Sequence, residues 1–309
     1  MVHEGLMQIL DKCCDLAPLK TAVVHPVKPR TLEAVAEAAS AKLLSPVLIG
    51  PPERIVSAAQ KAEVDISSWE IEAVEHSHAA ADRAVELASS RRVEAIMKGS
   101  LHTDELLGAV IEAGAGLRTE RRISHAYLMQ VDSYPKPFII TDAAVNIVPD
   151  LAAKADIVQN AVDLWRVLFG NDWPKVAVLA AVETVNPRMG ATLDAAALCK
   201  MADRGQLTEC LVDGPLALDN AISVEAAAEK GIVSEVAGHA DILLVPDIEA
   251  GNMLAKQLTF LGDALAAGIV LGARVPIVLT SRADSQQARL LSCAIAVLLA
   301  EARKVGAIK

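Results

Sequence analysis

From Thr21 onward, short apolar runs alternate with stretches of helical spacing. Thr21-Ala22-Val23-Val24-His25 is an apolar run stopped by Pro26. Arg30 to Leu43 puts Leu32, Val35, Ala36, Ala39 and Leu43 on one side of a helix. Pro46 to Gly50 reads as a second strand, and Pro51-Pro52 opens the next helix, where proline is tolerated. Trp69 to Val74 and Val93 to Met97 read as further strands, with a helix over Ser77 to Ala88 between them and another over Glu105 to Glu112 after them. This βα rhythm predicts a parallel sheet with right-handed crossovers. Ile123 to Tyr134 and Pro137 to Thr141 read as extended, and a long helix over Leu151 to Leu168 is expected to bridge two domains. A second βα series follows. Its strands lie at Lys175 to Ala181, Cys210 to Val212 and Asp241 to Pro246, and its helices at Leu193 to Ala202, Glu225 to Lys230 and Met253 to Leu261. Strands at Ile269 to Leu271 and Pro276 to Leu279, then a helix from Asp284 to about Lys304, close the chain.

Several strands exit into polar clusters, where ligands bind in open α/β sheets. In Leu279-Thr280-Ser281-Arg282-Ala283-Asp284-Ser285 a strand runs into hydroxyls, a guanidinium and a carboxylate just before a helix. A helix N-terminus offers unpaired N–H groups to an anion, and Arg282 adds a charged fork that matches phosphate oxygens. The plain alternative is that Asp284 or Ser285 only caps the helix. A second exit is Lys98-Gly99-Ser100-Leu101-His102-Thr103-Asp104. Gly99 permits a close backbone approach. Lys98 can neutralise a phosphate oxygen, and Thr103 or Asp104 can cap the next helix. His102 is an acid–base group, a hydrogen-bond donor or an ordinary loop histidine. The spacing of a P-loop is absent. A third exit is Thr141-Asp142-Ala143-Ala144-Val145-Asn146, and two more run over Asp213 to Ala221 and Asp247 to Asn252.

Composition narrows the reading. The 309 residues suggest two domains. They are 53% hydrophobic but only 3% aromatic, as suits Val/Ile-rich strands packed on Ala-rich helices. A net charge of −10 with no basic block argues against nucleic acid or an anionic membrane as partner. An anionic substrate must therefore be met by a local cluster. Cys13, Cys14, Cys199, Cys210 and Cys293 show no metal-ligand spacing and read as reduced thiols of a cytosolic protein, with Cys293 in core packing. The N-terminal residues show no signal-peptide pattern, and Arg274 and Pro276 break the longest apolar segment, so no membrane span is expected.

These stretches carry a family likeness. Met97-Lys98-Gly99, Gly116-Leu117-Arg118-Thr119, Ile140 to Asn146, Val176 to Glu183, Val212 to Ser223, Pro246 to Asn252 and Leu279 to Ser285 together resemble the phosphate acetyltransferase and phosphate butyryltransferase family, the wording of the last three being nearer the butyryl branch. The resemblance implies two doubly wound α/β domains with a cleft between them, similar to isocitrate and isopropylmalate dehydrogenases. The first would comprise residues 1–148 plus 285–309 and the second 149–284. It implies reversible transfer of a short acyl group, acetyl or butyryl, between coenzyme A and inorganic phosphate in a ternary complex, with no metal or cofactor, in a cytoplasmic homodimer. It places Ser281, Arg282 and Asp284 in catalysis, and Lys98, Gly99, Ser100, His102, Thr103, Asn146, Asn252 and Ser285 in substrate binding. Two departures stand out. The acetyl branch has an aspartate seven positions past the serine, where this chain has Ala288, and Asp284 is the nearest substitute. An arginine expected early in the helix after His102 is absent, and Arg118 is the nearest candidate. Two other readings are a non-catalytic acyl-CoA- and phosphate-binding homologue and a metal- and NAD-dependent dehydrogenase on the related fold.

Overall fold

The computed structural model describes residues 4–112, 114, 116–170, 172–279 and 284–308. The chain divides into two compact units. The first is Met7–Arg121 with Ala267–Lys309, and the second is Met1–Leu6 with Arg122–Ala266. The family resemblance implied boundaries at 148/149 and 284/285.

α1 (Glu4–Asp11), which the apolar pattern does not single out, leads toward β1 (Leu19–Val24). There follow α2 (Pro29–Ser40), β2 (Leu44–Gly50), α3 (Pro52–Ala62), β3 (Glu70–Ala73), α4 (Ser77–Ser89), β4 (Ala95–Lys98) and α5 (Thr103–Ile111). The second unit holds β5 (Ser124–Gln130), β6 (Phe138–Thr141), α6 (Leu151–Phe169), β7 (Lys175–Leu179), α7 (Gly190–Asp203), β8 (Leu211–Leu216), α8 (Leu218–Ile222), α9 (Val224–Glu229), β9 (Ile242–Leu244) and α10 (Ile248–Leu261). The chain then returns through β10 (Leu265–Leu271) and β11 (Ile277–Val278) to α11 (Gln286–Lys304).

In the first unit the strand order is β3-β2-β1-β4-β11-β10. Neighbours are parallel from β3 to β11, and β10 runs antiparallel to β11. Val24 lies opposite Lys98, and Val278 opposite Met97. The carboxyl ends of β1, β4 and β11 therefore share one edge of the sheet. Val23, Ile96, Met97 and Ile277 are fully buried, as strands covered on both faces require. Each such side chain contributes about 1.5–3 kcal/mol by leaving water.

In the second unit the order is β5-β6-β9-β7-β8. β5 and β6 are antiparallel and the other neighbours parallel. Both sheets are thus mixed, each joining one antiparallel pair to the parallel neighbours that the βα rhythm predicts. The physical reason is the connections. Residues 131–137 and 272–276 are too few for the crossover that parallel strands need. α6 lies wholly within the second unit and packs on β5, β6 and β9, so it does not act as the expected bridge.

Candidate active site

The end of β4 is shaped by close approach to β1. Gly99 N donates to the Val24 carbonyl (3.0 Å) and Ser100 N to the His25 carbonyl (3.0 Å). A Cβ at Gly99 would run into the Val24 carbonyl oxygen, so the turn needs glycine. His25 is buried and adopts φ +53°, and its Nδ1 donates to the Ser100 carbonyl at 3.2 Å. A carbonyl can only accept, so Nδ1 carries the proton. Nε2 is buried with no hydrogen-bond partner among the described residues. Ser100 Oγ lies 3.3 Å from Thr31 Oγ1, tying this loop to α2. Lys98 Nζ donates to the Leu101 carbonyl at 3.1 Å.

This loop forms one wall of a cavity of about 340 Å³ within the first unit. The lining includes Lys28, Arg30, Thr31, Lys98, Gly99, Ser100, His102 and Arg289. Two helices begin at it. α2 starts after Lys28 with Pro29 in its first turn, and α5 starts after His102; neither N-terminus receives a side-chain cap. The expected capping of α5 by Thr103 or Asp104 is not seen, because His102 itself is the cap residue and Thr103 is already helical. Unfilled helix N-termini and converging cations are a setting for an anion. The cavity is locally basic although the chain as a whole carries −10.

The remaining expected residues divide three ways. Ser281 and Arg282 lie outside the described residues, as do Thr280 and Ala283. They follow β11, which ends beside β4. Asp284 is half-buried, and its carbonyl accepts from Arg289 Nη1 at 2.9 Å. Ser285 caps α11, its Oγ accepting from Ala288 N at 3.2 Å. Arg118 is exposed, and its backbone bridges to Ala273.

Asn146 and Asn252 belong to the second unit, where their amides are already engaged. Asn146 is buried. Its Nδ2 donates to Asp142 Oδ2 (2.6 Å) and to the Ile123 carbonyl (2.8 Å), and its Oδ1 accepts from Arg122 Nε (2.9 Å). Asp142, also buried, accepts from the backbone N–H groups of Ala144 (3.0 Å), Val145 (3.1 Å) and Asn146 (3.1 Å). Asn252 Nδ2 donates to the Ala143 carbonyl at 3.3 Å and ties α10 to this loop. Both asparagines were expected to offer donors to substrate; Asn146 Nδ2 gives both of its donors to the loop, and Asn252 Nδ2 gives one. Nearby His125 is fully buried, and desolvation lowers its pKa from 6.5 to about 4 despite the raising influence of Asp142. Burial pushes the Cys293 thiol up to about 12, which fits the core role expected for it.

Four polar lining residues were not expected from the sequence: Lys28, Arg30, Thr31 and Arg289. A signal for the first two exists. Lys28-Pro29-Arg30 sets two cations at a proline-marked helix start, against the macrodipole. Arg289 likewise sits in the first turns of α11.

A family model described as phosphate acetyl/butaryl transferase matches residues 79–297. A phosphate acetyltransferase of Rickettsia felis is 61% identical over 293 residues, covering 95% of this chain and 84% of that protein. A phosphate butyryltransferase of Clostridium acetobutylicum is 43% identical over 298 residues, covering 96% and 97%. Identity is thus higher to this acetyl-named relative, where the wording of three motifs pointed to the butyryl branch. A crystal structure of a branched-chain phosphotransacylase from Enterococcus faecalis V583 superposes with a TM-score of 0.79 at 30% identity, covering 91% of this chain and 99% of that one. The chain belongs to the phosphate acetyltransferase and phosphate butyryltransferase family.

Proposed function

We propose that the protein transfers a short acyl group reversibly between coenzyme A and inorganic phosphate, with acetyl as the preferred group. The observation that carries the reading is the basic cavity at the ends of β1 and β4, onto which two uncapped helices open. Phosphate is common to every form of the reaction, as inorganic phosphate, acyl phosphate or the phosphates of coenzyme A. The acetyl preference follows the higher identity to an acetyl-named relative.

In the direction of acyl phosphate synthesis, a phosphate oxygen attacks the thioester carbonyl. A C–O bond forms, the C–S bond breaks, and the coenzyme A thiolate takes up the proton that the attacking hydrogen phosphate gives up. In reverse, the thiol must lose that proton as it attacks, and Asp284 is the proposed base. Ser281 donates to the tetrahedral oxyanion or the leaving group, and Arg282 balances the charge on phosphate. Lys98, Gly99, Ser100, His102 and Thr103 supply the facing wall, with Lys28 and Arg30 beside them. Ser285 serves through its cap, which fixes the start of α11 just after Asp284. Asn146 and Asn252 act by shaping the β6 loop.

The protein works as a cytoplasmic homodimer. Support for a second copy comes from α10, whose Met253, Phe260 and Leu261 are 66%, 65% and 82% exposed. No helix among the described residues is long and apolar enough to cross a membrane.

The test is phosphate-dependent release of free thiol from acetyl-CoA and butyryl-CoA. Wild type is expected to release thiol from both, faster from acetyl-CoA, and Asp284→Asn is expected to slow the reaction. Protein that binds coenzyme A and phosphate but never releases thiol would overturn the reading in favour of a non-catalytic homologue.

A further inference from the structure

Arg289 occupies a position that local rules disfavour. It lies in the opening turns of α11, where a cation opposes the macrodipole, and its side chain is only 12% exposed. Two contacts hold its guanidinium. Nη2 pairs with Glu37 Oε2 at 2.8 Å, and Nη1 donates to the Asp284 carbonyl at 2.9 Å. Nε is buried with no partner among the described residues. Glu37 stands on α2, the helix that brings Lys28 and Arg30 to the cavity. One planar fork therefore ties the residue proposed as base to the helix that presents the cavity's cations. A guanidinium can hold two partners at fixed angles, whereas an ammonium is a point charge.

We infer that Arg289, set by Glu37, is a positioning residue that fixes Asp284 relative to the basic cavity. Arg289 acts through Asp284 and α2, so its loss shows in turnover more than in anion affinity. Glu37 never faces the reacting atoms in this scheme. It holds the fork at one end so that the other end meets the Asp284 carbonyl.

The kinetic arm of the test rests on the acyl-transfer reading, and a second arm does not. Arg289→Gln is expected to lower kcat by about 10- to 100-fold, the scale of a misplaced reacting group, with little change in KM for phosphate. Glu37→Gln, a near-isosteric change, lowers kcat in the same direction. The double variant is no worse than Arg289→Gln alone, because the two residues act as one unit. Arg289→Lys keeps a cation in the cavity but not the fork, so it shares the kcat loss. Rescue by lysine, or a rise in KM for phosphate at unchanged kcat, would make Arg289 a direct anion ligand and overturn the inference. Additive losses would overturn it too.

The independent arm is hydrogen exchange. Amides over Asp284 to Arg289 are expected to exchange faster in Arg289→Gln and Glu37→Gln, with the rest of the chain and Tm unchanged. Faster exchange in a protein that never releases thiol would leave the positioning role standing and remove the acyl-transfer reading. Thiol release with unchanged exchange and unchanged kcat in the variants would do the reverse.

Discussion

The loops that leave β4 and β6 read alike in the sequence, each a buried strand running into small and polar residues, yet they are built in opposite ways. After β4, the loop of Lys98 to His102 lines a cavity, and the helices that begin there, α2 and α5, have no side-chain cap. After β6, Asp142 and Asn146 turn inward and take up each other's hydrogen bonds. The next helix, α6, is capped by Asp150, whose Oδ1 accepts from Ala153 N at 2.8 Å, and α10 is capped by Asp247, which accepts from Ala250 N at 2.9 Å. At the first exit two helix N-termini stay uncapped beside the cavity, and the second uses its polar groups to hold its own shape. A polar strand exit is therefore a site only when its hydrogen-bonding capacity is not met from within.

The largest effect expected to sharpen this contrast is at Arg282. Arg282→Ala should lower kcat for phosphate-dependent thiol release by about 100- to 1000-fold, the usual scale for removing a donor to developing charge. A variant with near-wild-type turnover would move the chemistry away from the exit of β11.

Asn146→Ala attacks the closed loop. It leaves the Ile123 carbonyl without this donor and Arg122 Nε without its acceptor, and takes one of two donors from Asp142 Oδ2, which keeps the Asn146 backbone N–H. Stability to urea should fall by about 1–3 kcal/mol, the cost of unmet buried polar groups. KM for either substrate should stay near wild type in the folded protein. A raised KM at unchanged stability would return Asn146 to the substrate site. Asp247→Ala removes only the cap of α10 and should cost about 1 kcal/mol.

The last effect is one of pH. Buried His125 is neutral in the folded chain, with its pKa lowered to about 4, and it gains a proton near 6.5 once unfolded. Between these values the unfolded state binds more protons, so stability rises with pH. The contribution is complete above about pH 6.5 and is lost as pH falls toward 4. Tm should therefore drop from pH 7 to pH 5, and His125→Gln should flatten that slope. An equal slope in the variant would place the sensitivity elsewhere.

Much of the fold is legible in apolar spacing. β1, β2, β4 and β7 come from short, mainly apolar runs, and α4, α6 and α11 are long enough to show a helical period. α8 is too short for one, since five residues make little more than a turn. α10 starts at Ile248, earlier than its apolar face suggests, because Asp247 sets the start through a side-chain bond that hydrophobicity does not encode. For the site, Lys98, Gly99, Ser100 and His102 are readable because they follow a strand directly. Arg289 is not, since its role comes from Glu37, which is remote in sequence. Asn146 misleads because composition cannot tell an amide offered to a ligand from one bonded to its own loop.

The contrast between an open and a closed loop is tested most directly at Lys98. Initial rates of thiol release from acetyl-CoA should be measured against phosphate concentration for wild type and Lys98→Ala, with Tm recorded for both. The expected result is a rise of about tenfold or more in KM for phosphate, matching the loss of one charge-assisted hydrogen bond, at unchanged Tm. An unchanged KM, or a loss of activity that only follows a fall in Tm, would show the β4 loop to be as structural as the β6 loop.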